Sequence, residues 1–320
     1  MKKILLTLLT SIVALGASAQ DFAIVNPDAR TAAMGDATVS ATADAYSIYN
    51  NAAAPLFDYQ SVQVGYAYTS LQAKRFNEGL MSVAGYVKIG QRHSISVGGR
   101  LLNEPKLVAD GDSAFIPTDE KGNPDLTIGD LSRPSSKSLE LAYGFMVSDQ
   151  VALALTARYL HYANGLGNKY SALNFDLALY SQLPMQYREG AMLNIGAQIS
   201  NGGFSIIKDG FTQPLTAKAG VSLFTPFGDA HSLLAAVDVG YRIAPAGMNG
   251  TKGILANVGL EYSLMQLIKF RAGYGHNIYD YATAGIGLRF MHVQIDASYW
   301  YAGAKCPWNN TFRVGVGLEF

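Results

Sequence analysis

The sequence predicts an all-β fold: a transmembrane antiparallel β-barrel of about fourteen strands, preceded by an N-terminal hatch or plug. Three observations predict it. From residue 60 to the C-terminus, apolar and polar side chains alternate with period two in segments about ten residues long. The connections between these segments are short and long in turn, as in outer-membrane barrels. The composition is low in charge, 15% of 320 residues, and rich in Gly and Tyr, with 33 and 19. Charged residues make up about 25% of an ordinary soluble domain. The 24 basic and 24 acidic side chains cancel, which leaves no basic face for nucleic acid. The one cysteine, Cys306, excludes an internal disulfide framework and a cysteine-built zinc site, and carries no assigned role.

Residues 1–19 read as a secretory signal peptide. Lys2 and Lys3 form the positive region, Ile4 to Gly16 the apolar region, and Ala17-Ser18-Ala19 the small-residue cleavage site. No cysteine follows the cut, so a lipid-anchored mature form is not expected. Beyond residue 20 there is no uninterrupted apolar run of about 18 residues, the length a helical span needs. An exported, mildly apolar chain without such a run points to a closed barrel, the other structure that satisfies every backbone group in lipid.

Residues 20–59 do not alternate and are rich in Ala, Ser and Thr. A barrel of about fourteen strands has room for a segment inside it. These residues are therefore expected to form a hatch, with short helical turns around Ala41 to Ala54.

Residues 60–320 hold the barrel. Alternating segments fall near 61–70, 79–89, 92–102, 137–147, 150–162, 172–182, 190–200, 215–224, 231–243, 254–264, 267–275, 281–290, 292–301 and 311–320. Connections after even-numbered segments are short, as at Gly90-Gln91, Ser148-Asp149 and Met265-Gln266. Those after odd-numbered segments are mostly longer, the extreme being Asn103 to Ser136. That asymmetry implies the outer membrane of a Gram-negative bacterium with both termini periplasmic. A soluble β-sandwich also alternates. It would carry a well-charged outer face, whereas the second face here is largely Gly, Ala and Ser.

The polar parity puts Lys88, Arg100, Arg158, Lys218, Arg242, Lys269, Arg271, Arg289 and Arg313 inside, with Glu140, Asp176, Asp238, Glu261, Asp296 and Glu319. On the lipid face, Arg or Lys near the midplane would cost about 2–4 kcal/mol each, which fixes the choice. Both signs inside allow ion pairs across the lumen. For most of these positions the simpler expectation is a hydrated interior with an ordinary polar lining.

Pro27-Asp28-Ala29-Arg30-Thr31-Ala32-Ala33-Met34-Gly35-Asp36, followed by Ala43-Asp44-Ala45-Tyr46-Ser47-Ile48-Tyr49-Asn50-Asn51-Ala52-Ala53, resembles the start of PorV/PorQ-type outer-membrane proteins. Residues 138–159 look like the fourth and fifth strands of the same family. The family falls within the FadL-like barrels, and the resemblance implies fourteen strands with a hatch whose motif residues here are Asp28, Arg30, Met34, Gly35, Asp36 and Asn51. It further implies a non-enzymatic adaptor or accessory subunit in type IX secretion. Such a protein accepts the C-terminal domain of a cargo from a secretion translocon and passes it to surface attachment partners, surface lipoproteins among them. Relatives carry Asn-Pro-Ala where this chain has Asn51-Ala52-Ala53, so the proline that would stiffen that turn is missing.

Function on such a scaffold usually sits in loops. The segments Asn103 to Ser136 and Asn201 to Pro214 are the candidates, with Phe115, Ile116, Phe204, Ile206, Ile207 and Phe211 as possible partner contacts. The alternative function is a FadL-like channel for hydrophobic small molecules, for which the pair Gly98-Gly99 is the candidate kink and lateral opening. Enzymatic activity is not expected. His93, His161, His231, His276 and His292 have no serine at diagnostic spacing. Gly285-Ile286-Gly287 and Gly315-Val316-Gly317 precede no helix and are not phosphate loops. No cofactor or metal is expected. The terminal set Phe312, Val314, Val316, Leu318 and Phe320 reads as the signal for the barrel-insertion machinery, and outer-membrane lipid is the remaining partner.

Overall fold

The structure, a computed structural model, describes residues 25–71, 78–103, 135–163, 169–206, 212–243, 252–277, 279–303, 306 and 309–320. Residues 1–19, read as the signal peptide, and the candidate contacts Phe115, Ile116, Ile207 and Phe211 lie outside the described residues.

The alternating segments form fourteen strands: β1 (Val62–Leu71), β2 (Glu78–Ile89), β3 (His93–Asn103), β4 (Ser135–Ser148), β5 (Val151–Ala163), β6 (Lys169–Pro184), β7 (Met192–Ser205), β8 (Leu215–Phe227), β9 (His231–Ile243), β10 (Gly253–Leu264), β11 (Ile268–His276), β12 (Asp280–Phe290), β13 (Val293–Tyr301) and β14 (Thr311–Glu319). Each pairs antiparallel with its sequence neighbour, and β14 closes on β1 through Gln63↔Glu319 to Ser70↔Phe312. The ring leaves no open edge in the membrane. One end carries the tight turns, such as Met265-Gln266 between β10 and β11, where both residues have positive φ. This turn end also holds the start of β1 and Phe320, whose carbonyl accepts from the amides of Ser61 and Val62. The opposite, loop end carries the longer connections.

Side-chain direction follows the parity read from the sequence. Val83, Leu141, Val237 and Ile295 are exposed on the outer wall, whereas Ser82, Glu140, Asp238 and Asp296 face inward and are buried. At the turn end the outer wall is ringed by paired aromatics. His93 stacks on Tyr143, His231 on Tyr262, and His292 on Phe320 at 5.5 Å between centroids. Such rings place amphipathic side chains at headgroup level.

Two local features differ from expectation. The pair Gly98-Gly99 makes no kink: β3 stays in unbroken register with β2 through Ala84↔Gly98 and Val83↔Gly99, and with β4 through Gly98↔Glu140 and Gly99↔Leu139. Gly98 is small for another reason, since Ile48 and Tyr49 pack over it. Register shifts lie instead between β4 and β5, at Met146 to Ser148, and between β6 and β7, where Asp176 faces Asn201 and the Asn201 amide donates to Asp176 Oδ1 at 2.7 Å. Asn201 has φ +64°, a bulge geometry. Beyond it β7 continues along β6 to Ser205, so Phe204 is a strand residue on the outer wall rather than a loop residue.

The chain from Val25 to Asp58 fills the lumen. Val25 packs with Leu71, Leu80, Leu102, Leu160 and Ala172, all at the loop end. Asp58 and Tyr59 lie at the turn end beside Lys88 and Arg289. Between them run helix α1 (Ala29–Ala33), helix α2 (Ser47–Asn50) and a 3-10 turn, Ala54–Phe57. Helix α2 falls where helical turns were expected, and the 3-10 turn begins at the last residue of that stretch. Helix α1 was not foreseen. It starts where Asp28 caps it, accepting from the amides of Arg30 and Thr31 at 2.8 and 3.1 Å.

Candidate functional site

The six motif residues of the N-terminal segment all lie inside the barrel, where Asp28 ties the segment to itself and the others meet the wall at separate places. Asp28, the cap of α1, also accepts from Asn50 Nδ2 at 3.0 Å, which ties α1 to α2. Arg30 points from α1 to the wall. Its Nε donates to Glu261 Oε2 at 3.0 Å, and its terminal nitrogens donate to the Thr42 carbonyl and hydroxyl. Glu261 in turn binds Arg271 at 2.6 Å, and Arg271 binds Asp296 at 2.6 Å. A chain of alternating charges thus runs from the plug across β10, β11 and β13.

Met34 is fully buried against Ala37, Leu234 and Ala236. Gly35 has φ +67°, and a Cβ there would sit 2.6 Å from the carbonyl oxygens of Val258 and Tyr274. Its amide donates to Thr283 Oγ1 at 2.9 Å, and its carbonyl accepts from Asn257 Nδ2 at 2.6 Å. Asp36 accepts from the Tyr281 hydroxyl at 3.0 Å. Asn51 donates to the carbonyls of Val39 and Leu179, at 2.8 and 2.9 Å. Its Oδ1 accepts from the Ala53 amide at 3.0 Å, so the side chain closes the turn that a proline would have stiffened.

Other attachments were missed in the sequence. Asp238 of β9 accepts from the backbone amides of Thr38 and Val39, at 2.6 and 3.0 Å. Ser222 donates to the Ser40 carbonyl at 2.6 Å. Tyr46 donates to the Val316 carbonyl at 3.1 Å, and Tyr49 to those of Val83 and Gly99, at 2.8 and 3.1 Å. Only inward parity at mid-strand could have marked Asp238 and Ser222. Burial, then the neighbouring Asp28, pushes the Asp44 carboxyl well above its usual range, against the pull of Arg30 at 3.6 Å.

Many of the inward charges are bound to one another rather than lining the lumen singly. Arg100 and Arg158 converge on Glu140 at 2.5 and 3.1 Å, and Arg158 continues to Asp176 at 2.7 Å. Lys218 faces Asp238 at 3.5 Å, and Arg289 binds Glu319 at 2.5 Å. Charged groups buried this deeply persist only when paired.

The plug divides the lumen into two vestibules. The loop-end space, about 110 Å³, is bounded by Val25, Asn50, Arg158 and Arg242. The turn-end space, about 450 Å³, lies between Arg30, Phe57, Tyr180, Glu261, Lys269 and Arg289. Among the described residues no acidic, histidine or cysteine cluster could hold a metal. His161 Nδ1 lies 3.1 Å from Ser171 Oγ on the outer wall, with the Tyr159 hydroxyl on the same serine at 3.1 Å. Among the described residues no carboxylate hydrogen-bonds that imidazole, as the third member of a catalytic triad would. Of the proposed contact residues that are described, Phe204 and Ile206 are exposed near the loop end. Phe312, Val316, Leu318 and Phe320 lie on the outer face of β14, and Val314 is half-buried on the same strand.

A family model described as "Type IX secretion system protein PorV" matches residues 13–209, more than half of the chain. No curated protein matches. Solved outer-membrane barrels match in fold alone. The toluene transporter TbuX of Ralstonia pickettii is 10% identical, with a TM-score of 0.55 over 91% of this chain and 97% of that one. The monoaromatic hydrocarbon channel CymD is 11% identical, with a TM-score of 0.60 over 92% and 98%. The toluene transporter TodX of Pseudomonas putida is 11% identical, with a TM-score of 0.53 over 90% and 95%.

Proposed function

The chain belongs to the PorV family of type IX secretion system proteins, and on that premise we propose that it is a permanently plugged outer-membrane adaptor which handles secreted proteins at its loop end. Membership supports an association with the type IX secretion machinery. The closer reading is ours. The occupants of the loop end are a translocon, the C-terminal domain of a cargo or a surface lipoprotein, and Phe204 and Ile206 are contact residues, with Phe115, Ile116, Ile207 and Phe211 of the same connections. The loop end faces out, the turn end faces the periplasm, and the outward apolar row of β14 serves the insertion machinery.

One observation carries this reading: the plug is hydrogen-bonded around the circumference, to β2, β3, β6, β8, β9, β10, β12 and β14. A segment held on every side is a filling, and a barrel so filled presents surfaces instead of a passage. The hydrocarbon-channel reading has fold-level similarity behind it, but β3 offers no break at Gly98-Gly99 through which a ligand could leave sideways. A mild-detergent pull-down with mass spectrometry tests the adaptor reading. A stoichiometric translocon subunit or surface lipoprotein is the expected companion, and recovery of the barrel alone contradicts the proposal.

A further inference from the structure

Charge is rare on the outer wall, and it is gathered in one place. Among the described strand residues the outward parity carries two ammonium groups, Lys137 of β4 and Lys169 of β6, both exposed at the loop end. His161 of β5 stands between them: Lys137 pairs with His161, and His161 with Ser171. Lys169 lies one outward step nearer the loops, opposite Ala163 and diagonal to His161. Among the described residues neither lysine has an ion pair or a hydrogen bond. The outward carboxylate of the described strands, Asp280, is half the ring away on β12, where His276 holds it.

The rows of side chains nearby fix the depth of this cluster. Tyr159, one outward step towards the turn end, belongs to a ring of exposed loop-end tyrosines with Tyr68, Tyr241, Tyr274 and Tyr299. Such a ring marks the boundary between acyl chains and headgroups. Lysines one row beyond it lie at the level of lipid phosphates, with their stems along the wall. The Tyr159 hydroxyl and His161 Nδ1 both engage Ser171 Oγ, each at 3.1 Å, which leaves His161 Nε2 for another group. On the acyl-chain side of the ring the wall is apolar. Leu141 and Phe175 are exposed on either side of Ala157, whose single methyl leaves a trough between them.

From this we infer that the outer wall of β4, β5 and β6 binds an anionic, phosphate-bearing membrane lipid at the loop end. Its headgroup sits among Lys137, His161 and Lys169, and one acyl chain lies along Leu139 and the trough at Ala157. The two lysines are two strand spacings apart, roughly 10 Å, a gap that long side chains close around one headgroup. Charge complementarity selects this occupant, because a zwitterionic lipid brings no net charge to the two ammonium groups. A free phosphate would make no use of the apolar trough. The site is on the wall and not in the loops, so it goes beyond the adaptor reading and stands or falls separately from the pull-down.

Native mass spectrometry of the purified chain tests it with three probes: dioleoyl phosphatidylglycerol, dioleoyl phosphatidylcholine and sn-glycerol 3-phosphate. At equal concentration the phosphatidylglycerol adduct is expected to exceed the phosphatidylcholine adduct roughly tenfold, with no adduct of glycerol phosphate. Lys137→Gln combined with Lys169→Gln is expected to erase that preference. Lys252→Gln, at an exposed lysine just before β10, is expected to leave it intact. Heat-modifiable gel mobility confirms that each variant has formed its barrel. Equal retention of the two lipids, a preference that the double variant keeps, or an equal loss in Lys252→Gln overturns the site. Glycerol phosphate adducts as abundant as those of phosphatidylglycerol overturn the ligand class.

Discussion

Arg30 shows how a single side chain holds the plug. It is buried, it satisfies Glu261 and the Thr42 carbonyl together, and it lies 3.6 Å from Asp44. Removing one member of a buried charge network leaves the others uncompensated, so Arg30→Met costs on the order of 3 kcal/mol of plug docking. Limited proteolysis checks this, with cleavage within residues 25–58 appearing in the variant and not in the wild type. Asp44 gives a pH signature. Its carboxyl is held above the usual range, so its protonated form suits the folded state. The stability it contributes is present at low pH and is lost as pH rises through that raised value. Asp44→Asn removes the titrating group. The wild-type melting temperature in detergent is expected to fall between acid and neutral pH by more than that of Asp44→Asn; parallel curves would exclude Asp44 as the source. Little of this residue-scale bonding was legible in the sequence, because its partners are remote. Thr38 and Asp238 are 200 positions apart, and Arg30 and Glu261 are 231.

At the scale of the element, the period of two told almost everything about the strands. An inward–outward alternation survives any register that closes the barrel, and a shift of one residue would bring Arg271 or Asp238 into lipid. The ends of β6 and β7 were less legible, since the Asn201 bulge changes parity where Gly202 and Gly203 give no apolar mark. Glycines were equally ambiguous. Gly99 is on the outer wall with room for a methyl group, its nearest neighbour being the Ser138 carbonyl at 3.6 Å. Gly196 lies under the plug, and a Cβ there would overlap the Val39 carbonyl. Gly99→Ala should therefore insert and melt like the wild type, while Gly196→Ala costs about 1–3 kcal/mol and loosens the plug. Equal behaviour of the two variants in a thermal melt would show that the lumen at Gly196 is not filled as described.

For the molecule as a whole, the outer wall and the filled interior make opposite demands on the same substitution. Val237 is exposed at mid-strand in β9, so Val237→Lys is expected to cost about 2–4 kcal/mol in lipid. Refolding yield into vesicles reads that loss directly. The barrel, its strand number and the presence of a plug were all visible in alternation, composition and length. What the plug does to the lumen was not, because a segment rich in Ala, Ser and Thr carries no sign of which wall it binds. Planar-bilayer recording of the purified chain tests the central claim most directly. The wild type is expected to give no steady conductance, and Gly196→Val or deletion of residues 25–58 to open an ohmic pore. A wild-type barrel that conducts steadily, at the same level as the deletion, would contradict the account.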